Sequence, residues 1–211
     1  MHIIIRDLGL CSWLSISKAM NDFTKIRNYW TCDELWLTEH YPVFTYGLSE
    51  KNITYHYINN IPIFLSNRGG KITYHGPGQL VVYILLNLKR NKIKFRYFIN
   101  TIENIVIQVL RYFYISAHIK KINREYILIT KKICSLGLRI IKGCSLHGFS
   151  LNVNMNLIPF QYIHPCGEKN IKMTQIYHYN KNIKIHIIKK ILIQKFCKNF
   201  KILKYCKYSS Q

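Results

Sequence analysis

The chain has 211 residues, 49% of them hydrophobic and 19% charged, with 31 Lys and Arg against 9 Asp and Glu for a formal net charge of +22. At ~100–200 residues per domain this is one sizeable folded unit or two cramped ones, and the apolar content excludes a disordered chain. A surface so basic suits an anionic partner without naming one, and 23 Lys, 8 Arg, 35 Ile, 18 Asn and 2 Ala also form the profile that drift in an A/T-rich genome leaves behind.

The elements follow in chain order. Ile3–Ile5 forms a short apolar run, read as a strand. Ile16, Ala19, Met20, Phe23, Ile26 and Trp30 recur at helical spacing, which predicts an amphipathic helix over 15–29. Strands are predicted over 34–39, 61–65 and 80–88, the last a nearly continuous apolar run of the kind covered on both faces. Phe98, Ile102, Ile105, Val109, Leu110 and Phe113 predict a second helix over 95–114. Strands over 125–129, 133–141 and 145–153 come next, with Gly143 turning between the last two. A basic helix over 185–203 presents Ile188, Leu192, Phe196 and Phe200 on one face. Helices falling between groups of strands predict an α/β or α+β fold, a mixed sheet flanked by helices.

Charge marks a change of character near the C-terminus. Residues 1–168 carry 20 basic and 9 acidic side chains, and residues 169–211 carry 11 Lys and no acid. The expected organisation is a main domain over 1–180 followed by a basic helix or tail over 181–211. The seven cysteines, at 11, 32, 134, 144, 166, 197 and 206, include no C-x-x-C pair and no zinc spacing. No metal site is expected, and reduced thiols fit a cytoplasmic location. No run of 18 apolar residues predicts a membrane-spanning helix, and the three apolar residues before Arg6 are too few for a signal-peptide core.

Three stretches are richer in special residues than packing requires. The first is Asn67-Arg68-Gly69-Gly70-Lys71-Ile72-Thr73-Tyr74-His75-Gly76-Pro77-Gly78-Gln79. Its glycines allow backbone to approach a ligand or to take positive φ. It is no nucleotide P-loop, because Ile72 follows Gly70-Lys71 where Ser or Thr is needed, and Gly76-x-Gly78-x-x-Val81 lacks the third glycine of the dinucleotide fingerprint. The second runs from Lys131-Lys132-Ile133-Cys134-Ser135-Leu136-Gly137 to Leu146-His147-Gly148-Phe149-Ser150-Leu151-Asn152. Two adjacent lysines on a strand point to opposite faces, so one of them serves any given site. By default His147 is a hydrogen-bonded turn histidine. The third is Ile163-His164-Pro165-Cys166-Gly167. A cysteine between Pro and Gly sits on a constrained loop, which makes Cys166 the best nucleophile candidate of the seven.

Taken in order, Arg68-Gly-Gly-x-x-Thr-Tyr-His-Gly-Pro-Gly-Gln79, Lys132-Ile-x-Ser-Leu-Gly137, His147-Gly-x-x-Leu-Asn152 and Pro165-Cys166-Gly167 closely resemble the octanoyltransferase family, also called lipoyl(octanoyl) transferase or lipoate–protein ligase B. Ser17-Lys-Ala-Met20, Glu39-His-Tyr-Pro-Val-Phe-Thr45 and Leu85-Leu-Asn-Leu-Lys-Arg90 agree, and the resemblance covers about residues 6–178. It implies the catalytic fold shared by biotin and lipoate protein ligases. It also implies transfer of an octanoyl group from octanoyl-acyl carrier protein to a lysine of lipoyl domains, those of 2-oxoacid dehydrogenase complexes and of the glycine cleavage H protein.

Carried over residue by residue, the resemblance makes Cys166 the nucleophile that holds the acyl group as a thioester and Lys132 the lysine that activates it. Arg68, Gly69, Gly70, Lys71, Ile72, Thr73, Tyr74 and His75, with Ser135, Leu136, Gly137, Gly148, Phe149 and Ser150, would line the acyl site. No cofactor is implied. An amide made from a thioester runs downhill without ATP, in keeping with the missing P-loop. Backbone amides at Gly69, Gly70, Gly76 and Gly78 are expected at the acyl oxyanion.

The stretch Lys120–Glu125 departs from the Pro-Gly turn that many relatives carry. An ATP-dependent lipoate ligase of the same fold is the alternative activity. A nucleic-acid-binding protein ranks last, because no nucleic-acid motif is present and Arg is scarce. No membrane partner is expected, and a monomer is the default. The acyl carrier protein and lipoyl domains are typically acidic, so a basic rim suits both.

Overall fold

The computed structural model describes residues 1–50, 56–119, 126–128, 131–167 and 171–209. Twelve strands and three α-helices are defined among them. They are β1 (His2–Cys11), α1 (Trp13–Ile26), β2 (Asp33–His40), β3 (Val43–Tyr46), β4 (Tyr57–Ile58), β5 (Ile61–Leu65), β6 (Thr73–His75) and β7 (Gln79–Leu85). There follow α2 (Phe95–Tyr112), β8 (His118–Ile119), β9 (Tyr126–Leu128), β10 (Lys132–Ile141), β11 (Cys144–Asn152), α3 (Ile185–Asn199) and β12 (Lys204–Ser209).

The large sheet has the order β12-β1-β2-β7-β11-β10-β9-β8, and the small one β4-β5-β3-β6. In the large sheet β1 runs parallel to β12 and to β2, and the other pairings are antiparallel. This is the mixed sheet with flanking helices that the pattern predicts.

Period-2 alternation sorts the two faces of the large sheet. Leu35 and Leu37 of β2 and Leu80, Val82 and Ile84 of β7 point into a core shared with α2 and α3. Trp36 of β2 and Val81, Tyr83 and Leu85 of β7 point the other way, where Ile16 and Met20 of α1 cover them. The small sheet builds a third cluster around Phe44, Ile72, Tyr74, Met155 and Phe160. None of the three helices has a side-chain N-cap bond or an acid in its first turn. Their stability therefore comes from the buried stripe rather than from their ends.

The C-terminal segment adds structure to the same core. α3 buries Ile188, Leu192 and Phe196 against α2 and the sheet, and Lys189 Nζ donates to Asp7 Oδ1 at 2.7 Å. β12 then pairs with β1 as the exposed outer strand. The helix expected over 185–203 ends at Asn199, and the chain turns through Lys201 at φ +51° into a strand that the Lys-Tyr-Cys pattern did not announce. The strand expected over 125–129 is seen at Tyr126–Leu128. Glu125 and Ile129 lie outside the described residues, as does the departing stretch 120–125.

One buried carboxylate joins α1, β2 and the end of β7. Asp33 is fully buried, accepts from Arg27 Nη2 (2.7 Å), Asn91 Nδ2 (2.6 Å) and the Asn87 amide (2.7 Å), and is ion-paired with Arg90 Nη2 at 2.8 Å. Removing one partner of such a pair strands the other charge in low dielectric. Asp33→Ala is expected to cost about 3–5 kcal/mol of unfolding free energy, read as a lower urea midpoint. An unchanged midpoint would show that Arg27 and Arg90 need no counterion.

Candidate active site

The cavity lies on the α1 side of the large sheet, between it and the glycine-rich segment that leads into β6. Its volume is about 50 Å³, and it opens to solvent. Of the expected acyl-site residues, Arg68, Gly70, Lys71, Ile72, Thr73, His75, Ser135, Leu136, Gly137, Gly148, Phe149 and Ser150 line it, together with Lys132.

Gly69 and Tyr74 do not line it. The Gly69 amide donates to Leu138 O (3.2 Å), which ties the loop to β10. Tyr74 alternates to the other side of β6 and packs against Phe44 and Phe160, with ring centroids 5.3 and 5.5 Å away. The sequence reading missed Trp13, Ser66, Val81, Tyr83 and His147 as wall residues. For Val81 and Tyr83 the signal was present, since alternate residues of β7 must face the α1 side.

Two of the four glycine amides expected at the acyl oxyanion are engaged elsewhere. The Gly78 amide donates to Glu39 Oε2 (2.8 Å) and the Gly69 amide is held by Leu138. Of the four glycines only Gly70 lines the cavity. Gly78, at φ +83°, instead lets β6 turn tightly into β7, and a methyl there would lie 1.8 Å from Asn154 O.

Arg68 closes the glycine-rich segment. Its Nη2 donates to Thr45 O (2.7 Å) and Thr45 Oγ1 (2.9 Å), and its Nη1 to Gly69 O (2.9 Å).

Lys132 opens β10 and is 1% exposed, whereas Lys131 is exposed. Of the two adjacent lysines, Lys132 is therefore the one at the cavity. Its backbone also holds the segment that follows the Pro165–Gly167 turn. The Lys132 amide donates to Lys172 O (2.9 Å), and the Thr174 amide donates to Lys132 O (2.8 Å). Cys166 lies in that turn, a short 3-10 helix closed by the Gly167 amide donating to His164 O at 2.8 Å. Among the described residues no group of three or more His, Cys, Asp or Glu is placed to hold a metal ion, and no helix is long and apolar enough to cross a membrane.

Neutral histidines line or back the wall. A carbonyl only accepts, so the His40 Nδ1–H donates to Cys11 O (3.0 Å) and its Nε2 accepts the Tyr83 hydroxyl (2.8 Å). Gln79 Nε2 donates to Tyr74 O and Asn152 Oδ1, which leaves Gln79 Oε1 to accept from His75 Nδ1–H at 2.7 Å. Asn152 Nδ2 donates on to Thr174 O (2.9 Å), so this chain of bonds reaches the Lys132 strand. Burial pushes His40 down to about 4 and His75 to about 3, the latter helped by His40 and Arg68. Burial, then Arg68 and Arg139, push His147 down to about 3. His147 is not in a turn: it sits inside β11 at φ +63°, a conformation that costs a non-glycine residue ~1–3 kcal/mol, with Nε2 donating to Asn67 Oδ1.

The fold and this cavity define a lipoyl protein ligase A/B catalytic domain, the family model that matches residues 22–197. The chain is 50% identical over 200 residues to an octanoyltransferase of Buchnera aphidicola subsp. Acyrthosiphon pisum, covering 95% of each. Among solved structures it is similar to a lipoate-protein ligase A bound with ATP, with a TM-score of 0.82 at 15% identity over 100% of this chain and 90% of that one. It also resembles the biotin protein ligase of Aquifex aeolicus in complex with biotin and ATP, with a TM-score of 0.59 at 13% identity over 95% and 70%. The chain therefore belongs to the octanoyltransferases of the lipoyl protein ligase A/B family, which makes it an acyltransferase.

The three histidines fix a pH dependence of stability. Each has a folded pKa of about 3–4 against ~6.5 unfolded, so below 6.5 the unfolded chain binds more protons. Their stabilisation is fully present above pH 6.5 and is lost as pH falls towards 4. From pH 7.5 to 5 the loss is expected to be on the order of 1–2 kcal/mol per histidine. Urea midpoints at the two values measure it, and His75→Gln should flatten the slope.

Proposed function

We propose that the cavity transfers an octanoyl group from octanoyl-acyl carrier protein to a lysine amine of a lipoyl domain, with Cys166 as nucleophile and Lys132 as its proton partner. The reading rests above all on one observation. The buried Lys132 faces the cavity from the strand whose backbone also holds the chain just after the Pro-Cys-Gly turn.

A free thiol has a pKa of about 8.5, so only a few per cent is thiolate at pH 7. A nearby ammonium favours the thiolate. The Cys166 thiolate attacks the carbonyl carbon of the donor thioester. A new S–C bond forms, the donor's C–S bond breaks, and the departing pantetheine thiolate takes a proton from Lys132. In the second half the neutral acceptor amine attacks the Cys166 thioester. An N–C bond forms, the Cys166 S–C bond breaks, and the proton shed by the amine returns to Lys132, restoring the pair.

One thioester replaces another in the first half, and an amide replaces a thioester in the second, so the sequence runs downhill overall. Acceptors of this kind occur on 2-oxoacid dehydrogenase complexes and the glycine cleavage H protein, and the reaction belongs in the cytoplasm, where acyl carrier protein and reduced thiols coexist. Relatives named as octanoyltransferases favour this activity over the ATP-dependent ligase.

Cys166→Ala is expected to abolish octanoylation of a lipoyl domain without ATP, and Lys132→Ala to lower kcat by about 10²–10⁴-fold, the range for loss of a positioned acid–base group. Gel-shift or mass measurement of the acceptor domain reads both. Full activity in Cys166→Ala, or turnover that requires ATP and free acid, would contradict the proposal.

A further inference from the structure

The cavity carries a second lysine that the cysteine–lysine pair leaves without a task. Lys71 follows Gly70 in the glycine-rich segment, and its side chain lies across the Pro165–Gly167 turn. A methyl at Gly167 would lie 2.5 Å from Lys71 Nζ, 2.8 Å from its Cδ and 3.0 Å from its Cε. The far end of Lys71 therefore rests on the residue next to Cys166. Gly167 has φ +73° and no side chain, and both features make room for this approach. Consecutive Cα atoms are about 3.8 Å apart, which puts the ammonium within about 8 Å of the Cys166 Cα.

We propose that Lys71 is a positioning residue for the reaction: a second, exposed cation that favours the Cys166 thiolate before it attacks and as it leaves, the two steps between which Lys132 is without its proton. This rests on Cys166 being the nucleophile.

The chemistry creates the need. In the first half-reaction Lys132 protonates the departing pantetheine thiolate and becomes neutral. In the second, the Cys166 sulfur leaves as a thiolate and requires a positive neighbour at that moment. Lys132 enters that step neutral and regains a proton only from the attacking amine, so a second cation already in place supports the sulfur as its bond to carbon breaks. Two lysines divide the work. Lys132 is buried and Lys71 is exposed.

The other charged and titratable groups on the same cavity wall do not duplicate Lys71. The Arg68 guanidinium donates to Thr45 and Gly69, and His75 and His147 are held neutral by burial and by Arg68.

The test is the pH profile of the thiol itself. Cys166 alkylation by iodoacetamide, resolved from the other six cysteines by peptide mass spectrometry, is followed from pH 5 to 10 in wild type, Lys71→Met and Lys71→Arg. An exposed charge at this range is expected to set the midpoint by about 0.5–1 pH unit. Lys71→Met should raise it by that much and Lys71→Arg should restore it. Alongside, kcat should fall about three- to tenfold in Lys71→Met while KM for octanoyl-acyl carrier protein stays within about twofold.

A midpoint unmoved in Lys71→Met, in a protein whose Cys166 still accepts octanoyl groups, overturns the role of Lys71 alone. So does a loss confined to KM, which would make Lys71 a donor-docking residue. A wild-type protein that accepts no octanoyl group at Cys166 overturns the nucleophile assignment and the role of Lys71 with it.

Discussion

The site depends on one guanidinium. The large sheet supplies the floor of the cavity and the segment from Ser66 to Thr73 supplies its roof, and Arg68 pulls the roof onto the small sheet through Thr45 and Gly69. Two glycines exist to make way for it. A methyl at Gly137 would lie 2.9 Å from Arg68 Cδ, and one at Gly47 would lie 2.1 Å from Gly70 O and 2.8 Å from Arg68 Nη1. Backbone bonds complete the clamp, from Leu48 to Arg68 O (2.9 Å) and from Gly69 to Leu138 O (3.2 Å). A lysine offers a point charge and no fork, so it cannot make these bonds together.

The same guanidinium sets the electrostatics. Its charge helps keep His75 and His147 neutral, so the wall offers hydrogen-bonding rings without adding to the local positive charge. Lys71 and Lys132 bring two further cations to the cavity, one exposed and one buried. The chain of bonds from His75 through Gln79 and Asn152 to Thr174 fixes the wall relative to the lysine strand.

Much of this was legible in the residues. Regular apolar spacing located α1, α2 and α3, and β5 was bounded at Ile61 and Leu65 as found, because strong periodicity leaves little freedom. The short strands β3, β4, β6 and β8 were not found, since two to four residues hold no readable period. β12 was hidden by composition: a Lys-rich stretch exposed along its whole length looks like a solvated tail, and only pairing with β1 makes it a strand. The spacing left Lys131 and Lys132 open and the resemblance chose Lys132, which in the structure is the buried one of the two. The glycines misled in a different way. The segment was rightly singled out, but Gly76 and Gly78 serve a turn, and the Gly78 amide answers Glu39, a long-range contact that no local spacing encodes.

The central claim is that acyl transfer passes through a covalent Cys166 thioester held beside two lysines. The most direct test is the intact mass of the protein after brief incubation with octanoyl-acyl carrier protein and no acceptor. The account predicts one added octanoyl group per chain, mapped to the Cys166 peptide, released by hydroxylamine and absent in Cys166→Ala. A mass that never changes while the acceptor is octanoylated, or an adduct that persists in Cys166→Ala, would contradict it.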